Sequence, residues 1–195
     1  MTKNKKLNRE RCGWAGSYEL MQRYHDEEWG NPAFNDLKQF EFLVLESAQA
    51  GLSWSCVLNK RENYRKAFAG FDPKKVAQFK AADVNRLLKD AGIIRNRLKI
   101  ESAINNAKLF LEIQKEFGNF VNYVKPFMQK VKHAKRKTLK DLPALTAESE
   151  ALSKDMKKRG FKFLGATVLY SHLQATGFVN DHIVSCFRYK ELTLK

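Results

Sequence analysis

A strongly apolar segment with helical spacing, which carries a glutamate near its end, constrains the fold of this chain more than any other stretch. In KQFEFLVLESAQA (38–50), Phe40, Leu43 and Val44 recur at steps of three and four residues, a pattern that predicts a helix with a buried side. Glu46 falls late in that helix. Because a buried carboxylate is costly without a partner, Glu46 either lies on an exposed face or faces a pocket where a ligand donates to it. The pattern leaves both interpretations open.

The rest of the chain also favours helices. Gly51 gives the first helix a place to end, and Ser53 is a suitable cap for a second helix that begins near Trp54. Helices are predicted at about 19–28, 36–50, 54–69, 73–79, 84–90 with Asp83 as cap, from Ile94 onward, 119–128, 148–158, 165–176 and after Asp181 in the tail. We see no convincing strand pairs or repeats, so we expect an all-α fold of short helices.

The length and the charge of the chain narrow its architecture and its partners. We expect a single domain over residues 11–195, or one with a small second lobe, preceded by a mobile basic arm at 1–10. The 36 Lys and Arg residues against 21 Asp and Glu give a formal net charge of +15. Such an excess favours nucleic acid as the partner, with an anionic membrane surface as the second candidate.

The sequence also bears on location. No run approaches the roughly 18 apolar residues that a membrane-spanning helix needs, and the chain does not open on a signal-peptide pattern. Without an export signal, the three cysteines do not predict a disulfide framework. We therefore expect a cytoplasmic protein with no membrane partner.

A glycine-containing turn joins two of the predicted helices into a hairpin. The first helix ends at 90–92 and the second begins near Ile94, with Arg95, Arg97 and Lys99 on its first turn. In DNA-binding hairpins the amides of such a turn and the N-terminus of the next helix can hold a phosphate. The alternative is an ordinary helical hairpin with a solvated basic side.

Two pairs of residues suggest a metal site. His182 and Cys186 are four residues apart, which would place both on one face of a helix, and zinc uses this spacing freely. Cys12 and His25 lie near the other end of the chain and would complete a closed Cys2His2 site. Such a site would join the N-terminal segment to the C-terminal helix. The alternative is four unrelated residues.

Aromatic residues cluster around Cys12 and His25: Trp14, Tyr18, Tyr24 and Trp29, with Trp54 beyond. Core packing accounts for many such groups. Rings beside a carboxylate could also stack on an extruded nucleobase and favour one that bears a positive charge.

Seven segments together identify a family. In order and spacing the chain closely resembles the DNA-3-methyladenine glycosylase I family from about residue 11 to residue 186, nearly its whole length. The segments that carry the resemblance are RCGW (11–14), YHDEEWG (24–30), QAGLSW (49–54), KRENYRKAF (60–68), DAGIIRNRLKI (90–100), LSKDMKKRGFKFLG (152–165) and NDHIVSC (180–186).

The resemblance implies an all-α helix-hairpin-helix glycosylase fold of two lobes, with a structural Zn2+ site joining the terminal segments. By position, the zinc ligands are the two cysteines and two histidines named above. Glu46 corresponds to the base-recognising carboxylate and is the candidate catalytic residue. The base-binding pocket corresponds to Tyr24 and Trp54, with Trp14, Trp29 and Met21 lining or supporting it.

The resemblance also implies how DNA is held. The loop from Gln49 through Gly51 to Leu52 corresponds to the segment that enters the duplex. The turn with Gly92, Ile94 and Arg95 corresponds to the hairpin that holds the backbone. The implied partners are double-stranded DNA with alkylated purines and free 3-methyladenine as product, and a monomer is the usual expectation.

The implied reaction is monofunctional hydrolysis of the N-glycosidic bond, since the alkylated purine is already a cationic leaving group and no Schiff-base lysine is implied. Asp181 is more readily a helix cap or a partner of a zinc ligand than a general base.

The chain departs from the family pattern at three places: Met21 replaces a pocket tyrosine, Ser47–Ala48 replaces a Gly–Gln pair, and Leu98 replaces a glycine. We expect the first two to touch the pocket. The alternatives are a non-catalytic lesion-binding relative and a zinc-stapled protein that binds RNA or another protein.

Overall fold

The computed structural model is helical throughout the residues it describes, 9–129 and 135–193. The basic arm predicted at 1–10 lies outside them except for its last two residues. The α-helices are α1 Glu19–Glu27, α2 Asp36–Gln49, α3 Trp54–Ala67, α4 Pro73–Val76, α5 Ala81–Lys89, α6 Arg97–Phe117, α7 Phe120–Val124, α8 Ala147–Lys158, α9 Ala166–Ala175 and α10 Phe187–Thr193. Those two ranges contain no strand, which confirms the predicted all-α class.

Side-chain caps fix where most of these helices begin. Ser53 Oγ accepts from the Cys56 amide at 3.3 Å, so the cap predicted for α3 is confirmed. Asn96 accepts from the Lys99 amide at 3.1 Å, and α6 therefore starts at Arg97 rather than at Ile94. Asp83 was the wrong cap for α5. It lies in the first turn of that helix and accepts from the Lys80 amide at 3.0 Å instead.

The C-terminal segment differs from the prediction. Residues 181–186 form turns, and α10 begins only at Phe187. Asp181 therefore caps no helix, and His182 and Cys186 do not share a helical face.

Helix α2 is the central element. Residues 39–48 are all buried, because α2 packs against α3, α6, α7 and α9. One apolar cluster fills the space between α2 and α6, and a smaller one surrounds Cys12, Tyr24 and Trp29. Glu46 is only 4% exposed, so its placement on an exposed face is excluded.

A buried ion network holds α1, α2 and α3 together. The Arg61 guanidinium binds both carboxylate oxygens of Glu28 at 2.7 Å and one oxygen of Glu41 at 2.8 Å. Arg65 and Lys38 also bind Glu41, at 2.6 Å and 3.1 Å. Burial alone would raise the pKa of Glu41, but Arg61 and Lys38 outweigh it and hold that pKa below its usual value. The network fixes the three helices that carry Tyr24, Glu46 and Trp54.

No helix in the described part of the chain is both long enough and apolar enough to cross a membrane.

Candidate active site and metal centre

The four predicted metal ligands lie together. Cys12 precedes a short 3-10 turn, His25 is on α1, and His182 and Cys186 are on the turns before α10. All four are buried, and their donor atoms lie within 4.8 Å of one another. This group could hold a metal ion, and it joins the two ends of the fold as the sequence predicts.

The donor distances fit a tetrahedral ion. Sulfur and nitrogen donors lie 3.5 Å apart for Cys12 and His182, 3.4 Å for Cys186 and His25, and 3.5 Å for Cys186 and His182. Zinc bond lengths of about 2.3 Å to sulfur and about 2.0–2.1 Å to nitrogen, at a tetrahedral angle, place the two donors about 3.5 Å apart.

Hydrogen bonds outside the cluster select the tautomer that each histidine needs as a ligand. His25 Nδ1 donates to Asp26 Oδ1 at 2.8 Å, which leaves Nε2 facing the cluster. Arg11 in turn binds Asp26 at 2.8 Å. His182 Nε2 donates to the Trp29 carbonyl at 3.1 Å, which leaves Nδ1 free for a metal. Such outer partners orient metal-binding histidines in general.

The two thiols lie against each other in a buried site, and each changes the pKa of the other. The hydrogen bond from the neighbouring Cys12 thiol lowers the pKa of Cys186, although burial opposes it. The hydrogen bond to Cys186 and burial raise the pKa of Cys12. A divalent cation would allow both to be thiolates, because its charge balances the pair.

A cleft of about 270 Å³ opens beside this cluster. Its volume is at the low end of small-molecule pockets, which span roughly 300–1,000 Å³. Helices α1, α2, α3 and α9 supply most of its walls. The lining residues are Trp14, Met21, Tyr24, Trp29, Glu46, Gln49, Trp54, Leu142, Ser171 and Gln174. All the predicted base-binding residues thus lie around one cleft, and their role in binding stays a prediction.

Glu46 is the one acid of this lining. Burial raises the pKa of its carboxyl to about 8. Within residues 9–129 and 135–193, no side chain or backbone amide makes a hydrogen bond to that carboxyl, and burial is the cause of its raised pKa. The Trp54 indole Nε1 is also buried without a partner in the same part of the molecule. The cleft therefore contains an acidic group that the protein itself does not satisfy.

Aromatic rings form the walls around the carboxyl. The Tyr24 and Trp54 ring centroids are 5.2 Å apart with planes tilted by 45°, and Trp14 meets Trp29 edge to face at 5.0 Å. Burial, followed by the nearby Glu46, raises the pKa of Tyr24 well above its usual value. Tyr18, by contrast, is 46% exposed and binds Asn59 outside the cleft. The predicted aromatic cluster is real, but Tyr18 does not belong to it.

Three lining residues escaped the sequence analysis: Leu142, Ser171 and Gln174. Ser171 and Gln174 are three residues apart on α9, an apolar helix, so both project from the same side. Two polar residues on one side of an apolar helix could have indicated that this side faces a pocket. Leu142 follows a 3-10 turn in a connecting segment and gave no signal.

Two departures from the family pattern were expected to touch the pocket, and in the structure only one of them does. Met21 lines the cleft. Ser47 and Ala48 do not, since they face the opposite side of α2, where they border a narrow gap beside Lys99 and Ile100. That expectation was wrong for Ser47–Ala48, because the helical turn carries them away from the side on which Glu46 lies.

The predicted entry loop lies at the rim of the cleft. Gln49 lines it, while Gly51 and Leu52 lie on the exposed turn between α2 and α3, with Leu52 41% exposed. Contact of these residues with DNA stays a prediction.

The predicted hairpin lies between α5 and α6. Gly92 packs closely against α3, where a Cβ would lie 3.0 Å from Asn63 Cβ. The Gly92 amide donates to Asp90 Oδ1 at 2.7 Å and the Ile94 amide to the Tyr64 hydroxyl at 3.1 Å, so neither is free for a phosphate.

The amides of Arg95, Arg97 and Leu98 have no partner in the described parts of the chain. The basic side chains differ too. Arg97 pairs with Glu101, while Arg95 is exposed without an ion pair among the described residues. A phosphate contact at this hairpin is therefore better supported at Arg95 than at Gly92 or Ile94.

Asp181 is saturated with hydrogen bonds rather than available as a base. It accepts from Gln174 Nε2 at 2.9 Å, from Arg136 Nε at 3.2 Å and from the Tyr170 hydroxyl. It makes no hydrogen bond to an imidazole of the metal cluster, whose outer partners are Asp26 and the Trp29 carbonyl, so its predicted role as a partner of a zinc ligand was wrong.

Comparisons with known proteins agree with this site. A family model described as methyladenine glycosylase matches residues 14–189. The chain is 50% identical over 181 residues to DNA-3-methyladenine glycosylase 1 of Escherichia coli (strain K12), covering 92% of this chain and 97% of that protein. A crystal structure of 3-methyladenine DNA glycosylase I matches with a TM-score of 0.87 at 46% identity, over 91% of this chain and 98% of that one.

A structure of a variant 3-methyladenine DNA glycosylase I in complex with 3-methyladenine matches with a TM-score of 0.87 at 35% identity, over 91% of this chain and 96% of that one. Coverage is nearly complete in each case, so the fold and the enzyme class predicted from the sequence are confirmed. The chain belongs to the DNA-3-methyladenine glycosylase I family of N-glycosyl hydrolases.

Proposed function

We propose that this enzyme excises 3-methyladenine from alkylated double-stranded DNA, with the Glu46 carboxylate as the group that recognises the extruded base. The supporting observation is a buried carboxyl without a partner at the edge of an aromatic cleft. Families of this kind act on a base that has left the duplex, because the target bond is out of reach inside it. The cleft is suited to one flat ring system.

The charge of the lesion explains selectivity. Adenine methylated at N3 is cationic in DNA, whereas normal adenine is neutral. A cation beside Glu46 favours the ionised carboxylate and offsets the cost of burying it. Neutral adenine offers no such compensation. The rings of Tyr24 and Trp54 add stacking that also favours a cationic ring.

The same charge reduces the chemical work. A cationic purine is a good leaving group, so hydrolysis requires extrusion, orientation and access of water to the sugar C1′. Asp181 is fully hydrogen-bonded and we assign it no catalytic step. We assign none to a lysine either, so the product is an abasic site in an uncut strand.

We further propose that the metal is Zn2+ and that it is structural. Two thiolates and two imidazoles at the observed spacing suit zinc, and a four-ligand site leaves no open position for substrate. When bound, the ion supplies a crosslink between the terminal segments. Metal analysis of the purified protein should give close to one zinc per chain, and a zinc-free, fully folded protein would contradict the assignment.

Base release tests the proposed activity. The protein should release 3-methyladenine from N-methylated duplex DNA, measured by chromatography against a heat-only control and against Glu46→Ala. Release above both controls is the expected result. A folded, metal-loaded protein that binds the duplex without releasing base would instead indicate a lesion-binding relative.

A further inference from the structure

The carboxyl end of α2 is held by a lysine from another helix. The last carbonyls of a helix have no partner within it, and the chain leaves α2 at Ala50. Lys99 Nζ donates to the Ala48 carbonyl at 2.8 Å and to the Ala50 carbonyl at 2.6 Å. An ammonium group also interacts favourably with the negative end of the helix dipole. The sequence left Lys99 as a candidate phosphate contact or as part of a solvated basic side, but its amine binds these two carbonyls instead.

Lys99 is itself fixed to the hairpin. It lies in the first turn of α6, and its amide donates to the Asn96 side chain at 3.1 Å. The adjoining turn is anchored to α3 at two points, through the Ile94 amide on Tyr64 and through Lys60 Nζ on the Ala91 carbonyl at 3.0 Å. A displacement of the hairpin would therefore be passed to Ala48 and Ala50 through the lysine.

The two ends of this connection belong to different parts of the site. Glu46 lies two residues before Ala48, and Gln49 on the cleft lies between the two bonded carbonyls. Leu52 on the rim follows two residues later. At the other end, the hairpin presents the exposed Arg95 and the amides without partners.

We propose that Lys99 is a positioning residue that fixes the hairpin against the segment 46–52, so that a duplex held at the hairpin delivers its extruded base in register with Glu46. This inference rests on the proposed function and adds a coupling between its two subsites. It differs from simple helix capping, which would contribute stability alone.

Two kinds of measurement distinguish the coupling from capping. Single-turnover release of 3-methyladenine from methylated duplex reports delivery of the base, whereas binding of free 3-methyladenine, followed by tryptophan fluorescence, reports the cleft alone. The variants are Lys99→Met, which removes the donor, and Lys99→Arg, which keeps one. Lys115→Met is the matched control, since it removes the same charge from the exposed last turn of the same helix.

We expect Lys99→Met to lower the single-turnover rate constant of base release from duplex by about tenfold or more, the scale of one charge-assisted hydrogen bond. K99M should bind free 3-methyladenine with an affinity within about twofold of the wild type, because the substitution leaves the cleft residues in place. Lys99→Arg should restore part of the turnover, and K115M should match the wild type.

Two results would overturn the inference: duplex turnover of K99M equal to that of K115M, or parallel loss of turnover and free-base binding. If K99M does not fold, Lys99→Gln, which keeps a neutral donor on a side chain one bond shorter, is measured in the same way. A wild-type protein that releases no base would overturn the proposed function itself. An active wild type with an unaffected K99M would overturn only the role of Lys99.

Discussion

The metal cluster and the cleft are neighbours on α1, yet they differ in whether their polar side chains have hydrogen-bond partners. His25 belongs to the cluster and Tyr24, one residue earlier, to the cleft. In the cluster both histidine rings have partners outside it, so their orientation is set in advance. In the cleft the Glu46 carboxyl makes no hydrogen bond to the described residues.

The difference indicates what each region is for. A satisfied buried group contributes to stability, while an unsatisfied one costs free energy that only a ligand can return. Proteins commonly retain such destabilising groups where function requires them. We therefore expect changes in the cluster to reduce stability and a change at Glu46 to reduce function while increasing stability.

Cys186→Ser should have the largest effect on stability. Structural zinc contributes roughly 10 kcal/mol or more to folding in small domains, so we expect the free energy of unfolding to fall by at least about 3 kcal/mol, with smaller changes in activity per folded molecule. Denaturant unfolding and metal analysis test this. Cys56→Ser is the matched control, because Cys56 lies outside the cluster. A zinc-free C186S protein of unchanged stability would contradict the assignment.

Glu46→Gln should stabilise the protein, increasingly as pH rises. The folded pKa of about 8 lies above the ordinary value of 4.5, so the folded state keeps a proton that the unfolded chain releases. Wild-type stability is therefore lost between these two pH values, at up to roughly 1.4 kcal/mol per pH unit. Urea unfolding should show that the free energy of unfolding of Glu46→Gln exceeds that of the wild type by a few kcal/mol more at pH 7.5 than at pH 5. This difference between variant and wild type is the gap to be measured.

The exposed Glu62 provides the control for that gap. Glu62→Gln should leave the pH dependence of stability as it is in the wild type. If the difference in free energy of unfolding between Glu46→Gln and the wild type does not change with pH, the Glu46 carboxyl is ionised in the free protein.

The pH dependence of turnover should follow Glu46. Because the cationic base needs the ionised carboxylate, kcat/KM on methylated duplex should rise with pH by up to about tenfold per unit and level off above pH 8. Heat-only release is subtracted at each pH. Glu46→Gln should be about 10–100-fold slower, the scale of a hydrogen bond between charged groups, and should lose this rise. The same rise in the variant would assign it to another group.

Met21→Tyr should have the smallest effect. Met21 lines the cleft, and a ring at that position could pack on the bound base. Aromatic pairs contribute about 0.5–1.5 kcal/mol beyond the area they bury, so we expect free 3-methyladenine to bind about two- to tenfold more tightly. Met21→Leu, with no ring, should not tighten binding. Equal binding in all three proteins would remove position 21 from base contact.

Those features of the fold and of the site that depend on local chemistry could be predicted from the sequence. Ser53 begins α3 because a hydroxyl followed by a helical pattern has one favourable place. The four ligands could be chosen because few residue types bind zinc and the chain has only three cysteines and four histidines.

Tertiary contacts decided the rest. Whether Glu46 was exposed depended on the helices packed around α2, which its own segment does not reveal. Arg61 binds residues 20 and 33 positions away, and Lys99 binds a carbonyl 51 positions away. Residues 181–186 form turns, although the spacing of His182 and Cys186 was equally compatible with a helix.

Isothermal titration calorimetry would test the central claim most directly. The ligand is 3,9-dimethyladenine, which stays cationic, and binding is measured at pH 7 in two buffers of different ionisation enthalpy. With a folded pKa of about 8 for Glu46, binding should release close to one proton, and Glu46→Gln should release none. Wild-type binding without proton release would show that the carboxyl is already ionised or lies away from the base, and would contradict the account.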